Sequence, residues 1–137
     1  AWSAVPAGPP RDAIHRHNLL TLMLAEPTAV DDLAVAVHGA NVERDRMRRR
    51  RLMLTDALRR LLPQIGCPLA GVWGEQDVLY RDRPGLVAQT LPLAADYRGL
   101  TMLPGAGHWA PYEAAAAFDA AFGAWLQVVR SCAGRPG

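Results

Sequence analysis

Lysine is missing altogether from this sequence: all 15 basic residues are arginine, against 13 acidic ones, and the formal charge is only +2. A nucleic-acid binder carries a larger basic excess gathered on one face or along one helix, so the charge balance favours no polyanionic partner. Arginine without lysine, amid abundant alanine, glycine and proline, reads as the coding of a GC-rich, bacterial genome. Cysteine is scarce. Cys67 and Cys132 form no C-x-x-C pair and have the spacing of neither a disulfide framework nor a zinc site, so Cys67 reads as a reduced, partly buried thiol. No apolar run approaches the roughly 20 residues of a membrane span, and no charged stretch leads into an apolar one near the start. The expected setting is soluble and cytoplasmic. An initiator methionine is also lacking, and the chain is expected to be a piece of a longer protein. Missing too is any G-x-S-x-G, the sharp strand-to-helix turn that presents a serine nucleophile.

What is present suffices for one modest core: 50% of the residues are hydrophobic, in a length common for single domains. Pro6, Pro9 and Pro10 make residues 1–10 read as loop. Asp12 then caps a helix over Ala13–Glu26, with Ile14, Leu19, Leu20, Met23 and Leu24 at helical spacing and Pro27 as its stop. A longer helix is expected from Thr28 to Arg51. Asp31 and Asp32 near its start and Arg48–Arg51 at its end complement the macrodipole, and Leu33, Val37 and Ala40 are its apolar positions. Thr55 and Asp56 open a short helix with Leu58, Leu61 and Leu62, closed by Pro63.

The helical pattern ends at Cys67. Pro68 to Trp73 is a short apolar run stopping at Gly74, as in a parallel strand buried on both faces. Residues 82–95 read as a helix interrupted at Pro92, and Leu100–Leu103 as a second short strand. Pro111 to Val129 carries the clearest helical stripe, with Phe118, Ala121, Phe122, Trp125 and Val129 at i, i+3, i+4, i+7 and i+11. The expected fold class is α/β: a helical segment over 1–62, a strand-helix-strand unit and its closing helix over 63–130, and a disordered tail over 131–137.

Two short runs carry chemistry, Gly74-Glu75-Gln76-Asp77 and Gly105-Ala106-Gly107-His108-Trp109, each just past a strand. In open parallel sheets the reactive groups gather beyond the carboxyl ends of the strands, where the chain turns and a crevice forms. A histidine accepts a proton from a hydroxyl nucleophile once a carboxylate on its other ring nitrogen fixes tautomer and orientation. Taken singly, Asp77 reads as a loop-capping carboxylate and His108 as a turn residue. Paired, in the order acid then histidine across one strand-helix-strand unit, they read as orienter and base.

Leu69-Ala70-Gly71-Val72-Trp73-Gly74-Glu75-Gln76-Asp77, then Leu103-Pro104-Gly105-Ala106-Gly107-His108-Trp109 with Glu113 and Phe118 beyond, resembles the C-terminal part of the α/β-hydrolase superfamily. The resemblance spans Ile65 to Leu126. The Gly-His-Trp form is similar to meta-cleavage-product hydrolases and esterase-like relatives. It implies the last two parallel strands of that fold, Asp77 as triad acid, His108 as triad base, and a serine on a turn upstream of Ala1. It also implies that residues 1–62 are a cap over the site; Trp109, which directly follows His108, is the candidate pocket wall. The substrate would be a small molecule with an ester, amide or ketone-type bond, with no metal or organic cofactor and neither nucleic acid nor membrane as partner. Lacking nucleophile and oxyanion loop, the 137 residues alone are expected to be inactive. Two alternatives stay open: a dehalogenase-like relative with an Asp nucleophile, and a non-enzymatic binding or interaction module.

The remaining candidates point to nothing sharper. His15 and His17 at i, i+2 face different sides of a helix and read as surface residues, and His38 beside Gly39 has no acidic or thiol partner at ligand spacing. Eight arginines lie between Arg44 and Arg60, but Glu43, Asp45 and Asp56 accompany them and no aromatic residue interleaves to stack on bases. That run reads as a solvated helix end.

Overall fold

Two short parallel strands, with helices before, between and after them, make up the computed structural model, which describes residues 4–45, 55–83 and 85–133. Helix α1 (Pro9–Leu22) starts earlier than the periodicity suggested. Pro9 and Pro10 open it instead of belonging to a loop, because a first-turn N–H has no intrahelical partner and proline's fixed φ is already helical. Gly8, at φ 110°, takes the cap position, and Asp12 lies within the first turn. The helix also stops short of Pro27: the N–H groups of Met23 and Leu24 both turn back to the Leu19 carbonyl.

A single 3-10 turn, Pro27–Ala29, leads into α2 (Asp32–Arg44). Asp31 caps α2 by accepting the Ala34 N–H at 2.8 Å. The expected continuation to Arg51, with the arginines between 46 and 51, lies outside the described residues. The inward face of α2 differs from the expected one. Ala34, Val35 and His38 are buried, whereas Leu33 is 61% exposed and Val37 also faces out. Counting apolar residues alone picks Leu33; the actual seam with α1 is Leu19, Leu24, Ala34 and Val35, extended by a histidine from each helix.

Helix α3 (Ala57–Leu61) passes into a 3-10 turn, Leu62–Gln64, so Pro63 sits inside that turn and Leu62 is its buried anchor. Cys67 is exposed, not partly buried, because it precedes the strand in the open connection. Strands β1 (Leu69–Gly74) and β2 (Tyr97–Leu103) then pair in parallel, Trp73 opposite Met102 and Gly74 opposite Leu103. Their crossover holds α4 (Leu86–Thr90) and a 3-10 turn at Leu91–Leu93, which accommodates Pro92.

Side chains alternate across a strand, and paired parallel residues share a face. Val72 and Leu103 pack with Ala106, Ala110, Ala114 and Phe118. The other face carries Trp73, Leu100 and Met102, and Met102 is 41% exposed. Burial on both faces, as the apolar run suggested, is therefore not realised: α4 is little more than one turn and too short to cover that side. Helices α5 (Ala110–Glu113) and α6 (Ala115–Ala133) divide at Ala114, where ψ reaches 45°. Residues 131–133, expected in a disordered tail, continue α6, while 134–137 lie outside the described residues. No helix among the described residues is long and apolar enough to cross a membrane.

Candidate active site

Asp77 and His108 meet at the carboxyl edge of the strand pair. Beyond β1 the chain stays tied to the end of β2, with the Glu75 N–H on the Leu103 carbonyl at 3.1 Å and the Gln76 N–H on the Ala106 carbonyl at 2.9 Å. That anchoring holds the two loops side by side. Asp77 is buried, 4% exposed, and both carboxylate oxygens are engaged. Oδ1 accepts the Leu79 N–H at 3.0 Å, and Oδ2 lies 2.9 Å from His108 Nδ1. An ionised carboxylate only accepts, so His108 carries its proton on Nδ1 and leaves Nε2 as a base. The His108 side chain is about one-third exposed, at 34%, and forms part of the wall of a cavity of about 150 Å³. Leu20, Met23, Leu24, Gln76, Val78 and Arg81 line the same space.

The loop presenting His108 is clamped onto the chain that leaves α1. The Trp109 N–H donates to the Met23 carbonyl at 2.8 Å. Glu113 accepts the Gly107 N–H on Oε2 and the Glu26 N–H on Oε1, each at 2.5 Å. A Cβ on Gly107 would stand 2.8 Å from the Ala25 nitrogen, so only glycine permits this approach. Trp109, expected as a pocket wall, is not part of the cavity lining. Its indole packs into the α1–α2 seam, with ring centroids 6.2 Å from His38 and 6.2 Å from Tyr112. The Tyr112 hydroxyl donates to Asp31 Oδ1 at 2.5 Å, joining α5 to the cap of α2. That bond, with the Ala34 N–H beside it, holds the Asp31 carboxyl below its usual range, and the same carboxylate pushes the Tyr112 hydroxyl up.

His15 overturns its reading as a surface residue, and its partner is His38. Both are buried, and their Nδ1 atoms lie 3.0 Å apart, one donating and one accepting. The signal existed: His15 is one turn before buried Leu19, and His38 one turn after buried Ala34. Burial, with the neighbouring His15 adding to it, pushes the His38 pKa below its ordinary 6.5. The unfolded chain then binds a proton that the folded one refuses, so stability is full above about pH 6.5 and declines as pH falls from there toward the lowered folded value. Thermal melts at pH 7.5 and 5.5 test this. The acid shift in Tm should shrink in His38→Asn, and an equal shift in both proteins would contradict the assignment.

Among the described residues no three His, Cys, Asp or Glu side chains gather as a metal site. Neither Ser3 nor Ser131 sits in a G-x-S-x-G sequence. No protein-family model, curated protein or solved structure matches this chain. The structure thus defines a mixed α/β arrangement with a parallel strand pair and, at its carboxyl edge, a contact between buried Asp77 and part-exposed His108.

Proposed function

We propose that these residues supply the acid and base of a Ser-Asp-His hydrolase of the α/β-hydrolase superfamily, with the serine and the oxyanion donors contributed by chain upstream of Ala1. The observation that carries this reading is Asp77. A loop-capping aspartate needs one oxygen for the Leu79 N–H; Asp77 is buried and commits the other to His108 Nδ1. That leaves Nε2 to take the hydroxyl proton as the serine attacks the substrate carbonyl. Asp77 stabilises the imidazolium, which returns the proton to the leaving group, and water then repeats the cycle on the acyl-enzyme.

The segment read as a cap, α1 and α2, packs on Trp109 and Tyr112 and contributes Leu20, Met23 and Leu24 beside His108. The substrate on this reading is a small molecule with an ester, amide or ketone-type bond, taken up beside His108. The mechanism calls for neither metal nor organic cofactor.

The test uses the whole polypeptide that carries these residues, isolated from cells expressing its gene and treated with an alkyl fluorophosphonate. Mass spectrometry should find one labelled serine within Gly-x-Ser-x-Gly, and labelling should be lost in His108→Ala. Absence of any labelled serine in active, folded protein sinks the proposal.

A further inference from the structure

The two 2.5 Å contacts of Glu113 join segments far apart in the chain: Gly107 immediately before His108, and Glu26 at the exit from α1. The carboxylate has one oxygen for each amide. Around it the backbone is already close-packed, since a Cβ on Gly107 would meet the Met23 carbonyl at 2.9 Å and Glu113 Oε2 at 3.1 Å. The Trp109 N–H on Met23 fixes the far side of His108 in the same way. The imidazole therefore hangs on a two-residue arch whose first support is Glu113 and whose second is Met23.

We propose that Glu113 is a positioning residue for His108: its carboxylate sets the Gly107 peptide, and through it the His108–Asp77 hydrogen bond, while tying both to the α1–α2 hairpin. The role follows from geometry. The Gly107 N–H belongs to the Ala106–Gly107 peptide, whose N–H is held by Glu113 and whose carbonyl is held by the Gln76 N–H, so a turn of that peptide redirects the backbone entering His108 and with it the ring. Displacements of about 1 Å in a catalytic group cost on the order of a hundredfold in rate. The hairpin feels the same carboxylate through Glu26, so a cap that shifts on substrate binding pulls on the base.

This inference rests on the hydrolase reading only for its consequence in catalysis; the coupling itself is measurable without turnover. In the whole polypeptide that carries these residues, at low temperature, the His108 Nδ1 proton held by Asp77 gives a low-field proton resonance, assigned by its loss in Asp77→Asn. Glu113→Gln keeps the shape but sets an NH₂ group against one of the two amides. Its His108 Nδ1 proton should exchange with water about tenfold faster, the factor for one hydrogen bond of ordinary net strength, with backbone amide spectra otherwise those of a folded chain. Glu113→Asp, which keeps the charge but shortens the reach, is read identically if the glutamine variant does not fold, and should show the same acceleration. An unchanged exchange rate in either folded variant overturns the positioning role. Failure of fluorophosphonate labelling in the whole protein would overturn the hydrolase reading and leave this coupling intact.

Discussion

Replacing Gly74 with alanine should destabilise the chain by about 3 kcal/mol or more, at the upper end of what overpacking costs in a folded core. A Cβ there would lie 2.2 Å from the Gly107 carbonyl oxygen and 2.3 Å from that of Ala106. Both are backbone atoms, so no side-chain rotation relieves the clash; the loop bearing His108 must move away from the end of β1. The φ of Gly74 is not in the left-handed region, which makes the penalty one of space alone. Gly71 is the control within the same strand. Its added Cβ would meet Leu91 Cδ1 at 2.5 Å and Leu100 Cδ1 at 2.9 Å, the ends of flexible side chains that can turn aside. Gly71→Ala should therefore cost only about 1 kcal/mol. Urea unfolding of the three proteins reads both numbers. Equal losses at the two positions would mean that β1 and the His108 loop are not in backbone contact.

That contact explains why so much of the candidate site was legible in the sequence. An apolar run stopped by Gly74, and another stopped by Pro104 and Gly105, announce two strand ends, and residues just past parallel strand ends share one edge. Asp77 and His108 follow from local punctuation plus chain order. The 2.9 Å contact adds which atoms meet, and that Asp77 spends its second oxygen on its own loop. Glu113 was visible only as a residue following the Gly-His-Trp run. Its partner amide at Glu26 is 87 residues away in sequence, and no periodicity reports a contact of that span.

The helical half was harder to read for a different reason. Hydrophobic spacing ranks Leu33 and Val37 above His38, yet α2 turns His38 inward because His15 waits on α1 with a complementary nitrogen. Polar residues that satisfy one another across a seam look like surface when each is read alone. Pro9 and Pro10 misled by the opposite route. They signal a break in most contexts, and a start only when the helix begins on them. Trp109 combines both effects: its neighbour His108 drew it toward the site, whereas its indole found the α1–α2 seam.

On the proposed Ser-Asp-His triad, Asp77→Asn in the whole protein should lower kcat by about four orders of magnitude with KM nearly unchanged, the loss known for triads whose histidine is left in the wrong tautomer. An asparagine presents either an oxygen or an NH₂ to His108 Nδ1. The Leu79 N–H selects the oxygen for itself, at the place where Asp77 Oδ1 accepts it now. The NH₂ group is then turned toward His108, where it donates to Nδ1 and leaves the proton on Nε2, the atom that has to accept from the nucleophile. The base is thus blocked without being removed, and no interaction with the ground-state substrate is touched. Asp77→Ala lacks that wrong-way donor, so its residual rate should equal or exceed that of the asparagine variant despite a larger loss of stability from the orphaned Leu79 N–H. Steady-state kinetics on a chromogenic ester, beside thermal melts of both variants, separate the two effects. A rate within tenfold of wild type in Asp77→Asn would mean that the Asp77–His108 contact holds two loops together and does no acid–base chemistry.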